Sequence, residues 1–470
     1  MFPQLLLSLA CAPQTVPAPE AEPESTPPNF LIILVDDLGY GDLGADLAGI
    51  GGREKHRTPH ISRLAAEGLV LTQGYSAAPN CAPSRASLQT GRLTPRHGIY
   101  TVGTAARGKP HQRELVPVPN TTVLADEELT LAEHLGAAGY SSAHLGKWHL
   151  GPDPTAQGYD VNVAGNKAGH PKSYFSPYKN ADLEDGDEGE YLTTRLTDEA
   201  IGLVGELKRP FLMHLAYYSV HTPLQAPAER VEERRAAGAK SAKYAAMVEA
   251  LDHEVGRLLT ALDEADLTED TLVIFTSDNG GHMPVTNQEI LRGYKGTLDE
   301  GGVRVPWIVR WPGRVEPRVS DVPVHHVDLL PTLLSLADTT PREGTTLDGM
   351  DLSALLTGGA ALPDRPLFWH FPCYLQGKSD RFQHFRTTPG GALRAGRWKL
   401  VEFFHPGSSA APRLELYDLE ADPLERADLS SAEPERAAGM YADLVRWRRS
   451  VAAPVPTEPE PAYAGDREDS

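Results

Sequence analysis

Two continuous apolar runs, each with polar oxygen-bearing residues at its end, constrain the fold of this chain more than any other feature. The runs are Phe30–Val35 and Leu272–Thr276. Runs without polar alternation are typical of strands that are buried on both faces of a parallel sheet. Helical patterns at 59–68, 130–138 and 241–265 alternate with these and further strand-like segments. The sequence therefore predicts an α/β domain with a mixed, mostly parallel sheet flanked by helices.

The length and the change of texture along the chain predict a second, smaller domain. The 470 residues exceed what one typical compact core accommodates. We predict a large domain over 29–375 and a small domain with an antiparallel sheet and a closing helix over 376–450. The Pro- and acid-rich tail over 451–470 is predicted to be disordered.

The N-terminus resembles the leader of a bacterial lipoprotein that is cut before Cys11. Its apolar run is too short to span a membrane, and no Lys or Arg precedes it. Residues 12–28 are rich in Pro and Glu and are predicted to form an unstructured tether. We expect a periplasmic or surface lipoprotein of the bacterial cell envelope, bound to the membrane only through a lipid anchor. A frayed apolar terminus is the alternative.

Charge and cysteine content exclude several classes of partner and structure. The chain has 64 Asp plus Glu against 44 Lys plus Arg, a formal net charge of −20. This excess argues against nucleic acid or an anionic membrane surface as a partner, and an anionic substrate would require a local cluster of cations. Cys11, Cys81 and Cys373 form no disulfide framework, and we interpret each alone.

Oxygen-bearing side chains follow the two apolar runs. Asp36 and Asp37 follow the first run, and Asp278 and Asn279 follow the second. Binding sites in open α/β sheets form beyond the carboxyl ends of the strands. Adjacent carboxylates repel unless a cation lies between them, and an all-oxygen set favours Ca²⁺ or Mg²⁺ over zinc. Glycines over 39–44 match a dinucleotide fingerprint, which we reject because these carboxylates would repel a pyrophosphate.

The segment Cys81-Ala-Pro-Ser-Arg85 carries the most specific motif. Pro83 and Gly91 suit the first turn and the end of a helix, with Cys81 just outside its N-terminus and Arg85 one turn further on. The segment resembles the signature of the formylglycine-dependent sulfatases of the alkaline-phosphatase-like superfamily, in which this cysteine is oxidised to an aldehyde. A buried structural cysteine before a helix is the alternative.

Other segments resemble the same family and follow in the same order along the chain. Lys147 and His149, framed by glycines, would project to one face of an extended segment. His221 precedes Thr-Pro, Lys295 lies in Arg-Gly-Tyr-Lys-Gly, and 415–423 is similar to a stretch near the end of many sulfatases.

The resemblance implies an enzyme that hydrolyses sulfate monoesters, with Ca²⁺ and a formylglycine derived from Cys81 as cofactors. The implied calcium ligands are Asp36, Asp37, Cys81 in its oxidised form, Asp278 and Asn279. Lys147, Lys295 and His221 would stabilise charge on the sulfuryl oxygens, and Arg85 would hold the hydrated aldehyde. His221 would protonate the departing alcohol, and His149 would be the base that releases sulfate. A formylglycine-generating maturase is an implied partner.

A sulfated carbohydrate is the expected substrate. An enzyme of the envelope meets extracellular glycans, and Phe368–Pro372 combines aromatic surface with His370, which could bind a sugar hydroxyl. Packing of these aromatic residues in the core is the alternative. Two other functions stay open: a metal-dependent phosphohydrolase of the same superfamily, and an inactive sugar-binding surface protein if Cys81 is never oxidised.

Overall fold

The computed structural model describes residues 27–44, 50, 52, 56–287, 289–359, 362–406 and 412–464. The predicted leader, Cys11 and almost all of the tether lie outside these residues. The strands are β1 (Asn29–Val35), β2 (Leu69–Leu71), β3 (Gly74–Tyr75), β4 (Ser141–Gly146), β5 (Val161–Val163), β6 (Phe211–Ala216), β7 (Thr271–Ser277), β8 (Trp307–Arg310), β9 (Arg318–Ser320), β10 (Val324–His325), β11 (Leu367–Phe371), β12 (Leu375–Gln376), β13 (Phe385–Thr387), β14 (Gly390–Ala395), β15 (Trp398–Phe403) and β16 (Arg413–Asp418).

The α-helices and short 3₁₀ turns lie between and after these strands. The helices are α1 (Pro59–Ala66), α2 (Cys81–Thr90), α3 (Thr94–His97), α4 (Leu131–Ala137), α5 (Leu192–Glu206), α6 (Ala228–Ala236), α7 (Ala242–Glu264), α8 (Glu300–Val303), α9 (Leu329–Leu336), α10 (Ser353–Leu356) and α11 (Pro434–Ser450). The 3₁₀ turns are Pro110–Gln112, Pro154–Gln157 and His326–Asp328. In the described part of the chain, no helix is both long and apolar enough to cross a membrane.

The central sheet has eight strands in the order β5-β4-β6-β1-β7-β8-β2-β9. Only β8 runs antiparallel to its neighbours within this sheet. Both faces of β1 are buried: Leu31, Ile33 and Val35 pack with α5 and α7 on one side. The alternate residues of β1 pack with α2, α4 and α9 on the other side. The predicted mixed, mostly parallel α/β sheet between helices is confirmed.

The small domain begins earlier than the sequence predicted. Its four-stranded antiparallel sheet has the order β11-β14-β15-β16. Because β11 pairs with β14, the sheet starts at Leu367, whereas the sequence placed the boundary after residue 375. One face of this sheet packs on α11 and the other packs on the large domain. The predicted closing helix is present as α11.

The predicted disorder of the tail is wrong for its described part, up to residue 464. Leu115 and Pro459 form an isolated bridge, and the Val116 N–H donates to the Glu458 carbonyl at 2.9 Å. Arg113 forms an ion pair with Glu460 at 3.0 Å. Backbone pairing and this ion pair offset the Pro- and acid-rich composition, which on its own favours disorder.

A buried network of charges joins the two domains. Lys399 on β15 lies 2.9 Å from a carboxylate oxygen of Glu300 and 3.0 Å from one of Glu425, and all three side chains are fully buried. The Tyr75 hydroxyl donates to Glu300 at 2.7 Å. The Glu300 N–H donates to the Glu425 carboxylate at 2.7 Å. The segment that runs from Lys295 into α8 is therefore fixed by a lysine of the small domain.

We expect Lys399→Met to lower the free energy of unfolding by about 3–5 kcal/mol, because it leaves the buried Glu425 without its cation and removes the closer of the two cations beside Glu300, Arg304 lying 3.6 Å away. Denaturant unfolding measures this change. Lys240→Met is the control, since Lys240 forms an exposed pair with Glu289 at 3.5 Å and should cause no measurable change. Equal effects of the two substitutions would contradict the role of the network.

Candidate active site

Four adjacent strands deliver the predicted site residues to one edge of the central sheet. In the parallel pair β1–β7, Val35 lies opposite Ser277, so the acids that follow both strands meet. In the pair β4–β6, Gly146 lies opposite Ala216, and Lys147 comes next on the β4 side. The carboxyl ends of these strands thus bring the candidate residues to the edge where the sequence analysis expected them.

Four of the five predicted metal ligands, Asp36, Asp37, Asp278 and Asn279, are brought together and fully buried, and Cys81, the fifth, is buried beside Asp36 and Asp37. The Asp37 N–H donates to Asp278 Oδ1 at 3.2 Å, and Asn279 Nδ2 donates to Asp37 Oδ1 at 2.8 Å. Ligand atoms of Asp36, Asp37, Cys81 and His221 all lie within 4.8 Å of one another. His221 is the unexpected member of this group, because the sequence assigned it to the substrate.

Three cations lie against these three carboxylates. Lys147 Nζ is 2.7 Å from Asp36 Oδ2, and Lys295 Nζ is 2.8 Å from Asp37 Oδ1. Arg85 Nε is 2.8 Å from Asp278 Oδ2, and Arg85 Nη1 donates to the Lys147 carbonyl at 2.7 Å. The local cations that an anionic substrate requires are therefore present in a chain of net negative charge.

The two adjacent aspartates differ in proton affinity. Burial raises the pKa of Asp36 to about 8; Lys147 opposes this shift, and Asp278 and Asp37 add to it. Burial also acts to raise the pKa of Asp37, but Lys295, His221 and Lys147 together hold it well below its usual range. A further positive charge at this point would relieve the cost of clustering buried carboxylates.

The donor set fits a hard divalent cation. Asn279 Oδ1 is buried and has no hydrogen-bond partner within the described residues. Its amide nitrogen donates to Asp37 Oδ1 and to the Gly280 carbonyl, which leaves this oxygen available as a ligand. Carboxylate and amide oxygens are the ligands that Ca²⁺ and Mg²⁺ prefer.

Cys81 is the first residue of α2, whereas the sequence placed it just outside the helix. Gly91 caps the end with a left-handed φ of 64°, as its position predicted. Every residue of this helix is buried, and histidines contact its polar side chains: Ser84 bonds His326 at 3.1 Å and Ser87 bonds His97 at 3.0 Å. Burial raises the pKa of the Cys81 thiol although Lys147 and Lys295 oppose it, so the unmodified thiol is protonated at neutral pH.

His221 lies beside the carboxylates and is held by its backbone. Its Nε2 is 3.5 Å from Asp37 Oδ2, and its Nδ1 is 2.8 Å from the Thr222 carbonyl. The Tyr174 hydroxyl lies 2.8 Å from the His221 carbonyl. His170 stacks on the His221 ring with a centroid distance of 6.1 Å.

His149 reaches the site through a bent segment rather than a regular strand. β4 ends at Gly146, and His149 has a left-handed φ of 63°. Burial lowers the pKa of His149 well below its usual range, and Lys147 and Arg85 add to this shift. Trp148 turns away into the core, where its ring lies 5.1 Å from that of His144.

The structure does not support His370 as a substrate ligand. Its side chain is buried in the small domain, with Nε2 2.8 Å from the Pro454 carbonyl. Trp369 and Phe371 are also buried, and Phe368 stacks on Trp447 with a centroid distance of 4.6 Å. This segment is β11, and its aromatic residues pack the two faces of the small sheet, as the packing alternative held.

Several positioning residues had no signal in the sequence. Asn80 Nδ2 donates to Thr101 Oγ1 at 3.0 Å directly before Cys81, and the Asn166 carbonyl accepts the His149 N–H at 2.9 Å. Tyr174, whose hydroxyl contacts the His221 carbonyl, also had no signal in the sequence. Each acts through long-range contacts, which residue spacing along the chain does not reveal.

Comparison with known proteins assigns the family. Residues 28–339 match the family model described as Sulfatase. Residues 294–444 match the model described as N-sulphoglucosamine sulphohydrolase, C-terminal.

The chain belongs to the sulfatase family.

This sulfatase resembles curated enzymes along most of its length. It is 34% identical to the human N-acetylgalactosamine-6-sulfatase, with 92% of this chain and 87% of the relative covered. Identity to human arylsulfatase A is 34%, covering 87% of this chain and 80% of the relative. Identity to the mouse steryl-sulfatase is 33%, covering 95% and 86%. The sulfatase is therefore a sulfuric ester hydrolase.

Solved structures agree with the fold. The crystal structure of Ps i-CgsB in complex with k-i-k-neocarrahexaose is 29% identical to this sulfatase, with a TM-score of 0.72, and the match covers 89% of this chain and 92% of that chain. A phosphonate monoester hydrolase of Agrobacterium radiobacter is 20% identical, with a TM-score of 0.65 and coverages of 90% and 96%, and it shares the fold. The predicted alkaline-phosphatase-like architecture is confirmed.

We expect Gly169→Ala to displace His149. A Cβ on Gly169 would lie 2.5 Å from His149 Cε1 and 2.6 Å from Nε2, so the ring must shift. Misplacing an active-site group by about 1 Å slows turnover by about 10–100-fold. Steady-state kcat for sulfate ester hydrolysis measures the effect.

Gly202→Ala on α5 is the matched control, because a Cβ there meets open space. It should retain full turnover, and both variants should retain the native circular dichroism spectrum. Full turnover in Gly169→Ala would show that the position of the His149 ring is not critical.

Proposed function

We propose that this sulfatase hydrolyses sulfate monoesters of carbohydrates, with residue 81 as a formylglycine and one Ca²⁺ in the carboxylate cluster. The observation that carries the proposal is the position of Cys81. Its sulfur lies within 4.8 Å of ligand atoms of Asp36 and Asp37. Lys147 and Lys295 flank these same carboxylates. A nucleophile at residue 81 would thus be next to both a metal ion and two cations.

Asp36, Asp37, Asp278 and Asn279 would hold the ion together with residue 81. When present, calcium would polarise the sulfate ester and the hydrated aldehyde would supply the attacking oxygen. Lys147 and Lys295 would donate to the sulfuryl oxygens, where negative charge develops. Arg85, fixed by Asp278 and by the Lys147 carbonyl, would orient residue 81 from one helical turn away.

Two histidines would move the protons. His221 Nε2 faces the cluster while Nδ1 contacts the Thr222 carbonyl, so Nε2 is the atom that would protonate the departing alcohol once the ring is an imidazolium. Burial lowers the pKa of His221 to about 3 and Asp37 opposes that shift, so the ring would have to gain this proton during the reaction. His149 would take a proton at residue 81 when sulfate is released, since burial keeps its imidazole neutral and able to accept one.

The relatives support a carbohydrate substrate. The aromatic residues and His370 of β11, which the sequence suggested as sugar contacts, do not, because they are packed in the small domain. One similar enzyme is named for N-acetylgalactosamine 6-sulfate chemistry, and one similar structure contains an oligosaccharide. A steryl-sulfatase is almost as similar in sequence, so identity alone does not separate sugars from steroids. We favour sugars because two of the similar proteins compared above, the N-acetylgalactosamine-6-sulfatase and the oligosaccharide-bound structure, have carbohydrates in their names, against one steryl-sulfatase.

We also propose that the protein is a lipoprotein of the bacterial envelope that a formylglycine-generating maturase activates. The apolar start of the chain, Cys11 and the Pro- and Glu-rich segment that follows support the anchor. The Cys-x-Pro-Ser-Arg order at residues 81–85 supports the maturase.

We expect Cys81→Ala to lower kcat on aryl sulfates and sulfated sugars by at least about a thousandfold, because the nucleophile is lost. Cys373→Ala removes the other buried cysteine among the described residues, which lies in the small domain, and this variant should retain turnover. Mass spectrometry of the wild-type peptide that contains residue 81 should show an aldehyde in place of the thiol.

A thiol at residue 81 in fully active protein would contradict the formylglycine proposal. Faster hydrolysis of steroid sulfates than of sulfated sugars would overturn the substrate class while leaving sulfate ester hydrolysis intact.

We expect Asp278→Asn to lower the calcium content from about one ion per chain and to slow turnover with it. Elemental analysis of dialysed protein measures the ion. Asp42→Asn is the matched control, because Asp42 is also buried but accepts from Tyr244, Thr286 and Asn287 at 2.7–2.8 Å. Stoichiometric zinc in place of calcium would favour a phosphohydrolase instead.

A further inference from the structure

Two arginines lie in segments that touch where the small domain contacts the large domain beside the active site. Arg107 lies in the loop after Tyr100, and Arg386 lies in β13. Their sequence neighbours touch across the boundary, since a Cβ on Gly108 would lie 2.5 Å from Phe385 Cε1. Both arginines are half-buried.

Arg386 packs against the segment that carries Lys295. Its Cδ lies 3.5 Å from the position that a Cβ on Gly296 would occupy. Its guanidinium carbon is 5.9 Å from the centre of the Tyr294 ring. The Gly296 N–H donates to the Pro79 carbonyl at 2.6 Å, two residues before Cys81. Arg386 therefore lies beside both active-site segments.

Arg107 belongs to a loop that is fixed against the start of α2. Asn80 Nδ2 donates to Thr101 Oγ1 at 3.0 Å, and Arg107 Nη2 donates to the Val102 carbonyl. Burial lowers the pKa of Arg107, Arg386 lowers it further, and Cys81 opposes the shift. The two guanidinium groups are therefore close enough to repel each other.

Neither guanidinium forms an ion pair with a carboxylate among the described residues. Arg381, only five residues before Arg386, is fully paired and lies 2.7 Å from both Asp299 and Glu415. The chain has 64 acidic residues against 44 basic ones, so neither arginine lacks an acid for want of acids in the chain. Their mutual repulsion costs free energy, which a bound anion would offset.

We propose that Arg107 and Arg386 form a subsite for a second anionic group of the substrate, a carboxylate or a further sulfate, apart from the ester that is cleaved. Guanidinium groups bind planar carboxylates and sulfate oxygens with paired hydrogen bonds. The cleaved ester has its own cations in Lys147 and Lys295, so this pair is free to select the sugar. The proposal rests on the proposed function and narrows its substrate class to polyanionic oligosaccharides.

The test compares Arg107→Gln, Arg386→Gln and the double variant on matched substrates. These are a monosulfated N-acetylhexosamine, its disaccharide with a uronic acid, and a disulfated form of the same sugar. Charge-assisted hydrogen bonds contribute about 1.5–3 kcal/mol, which is about 10–100-fold. We expect the double variant to lose about that factor in kcat/KM on at least one dianionic sugar, mainly through KM.

On the monosulfated sugar the same variant should lose less than about threefold, since only one anion is bound. Arg449→Gln is the matched control, because Arg449 is exposed on α11, on the opposite face of the small sheet. Arg449→Gln should leave kcat/KM on all three sugars unchanged. Equal losses on mono- and dianionic sugars would overturn the subsite.

Binding to the Cys81→Ala variant separates this proposal from the proposed function. Calorimetry should show that a dianionic sugar binds this variant at least about tenfold more tightly than the monosulfated sugar. This preference should be lost when Arg107→Gln and Arg386→Gln are added to Cys81→Ala. Equal affinities would overturn the subsite even if turnover of sulfate esters is normal. Tighter dianion binding would support it even if turnover proceeds by another mechanism.

Discussion

The parallel pairing of β1 with β7 is the constraint on which the rest of the site depends. Its register places Val35 opposite Ser277, so the chain emerges from both strands at one point with acids on each side. Three carboxylates are thereby buried close together. Hydrogen bonds join Asp37 to Asp278 and to Asn279. Buried like charges persist only where cations neutralise them, so the neighbouring segments must supply positive groups.

The surrounding elements supply those groups from separate parts of the chain. Arg85 comes from α2, Lys147 from the end of β4, and Lys295 from the segment before α8. The same cations suit an anionic substrate, which explains how a chain of net charge −20 can bind a sulfate ester. The small domain helps to position Lys295 indirectly, because Lys399 pairs with Glu300 at the start of α8 and so fixes the segment between Lys295 and α8.

Sequence alone predicted the sheet and most of the site because those features have local signals. Buried strands appear as apolar runs, and acids at their ends mark the carboxyl edge, so the sequence could predict that Asp36, Asp37, Asp278 and Asn279 lie together. Features set by long-range contacts were missed or misjudged. The sequence suggested His370 as a sugar ligand because no local signal shows that its ring contacts the carbonyl of Pro454, which lies 84 residues later in the chain. The domain boundary was late because the pairing of β11 with β14 joins distant segments.

The most direct test of a calcium centre at the end of β1 and β7 is the dependence of thermal unfolding on calcium. A ligand that binds only the folded state raises the unfolding midpoint as its concentration increases. If the buried carboxylates form a calcium site, the midpoint of protein stripped of metal ions should rise steadily with added Ca²⁺. A midpoint that is unchanged by calcium across millimolar concentrations would contradict the presence of that site.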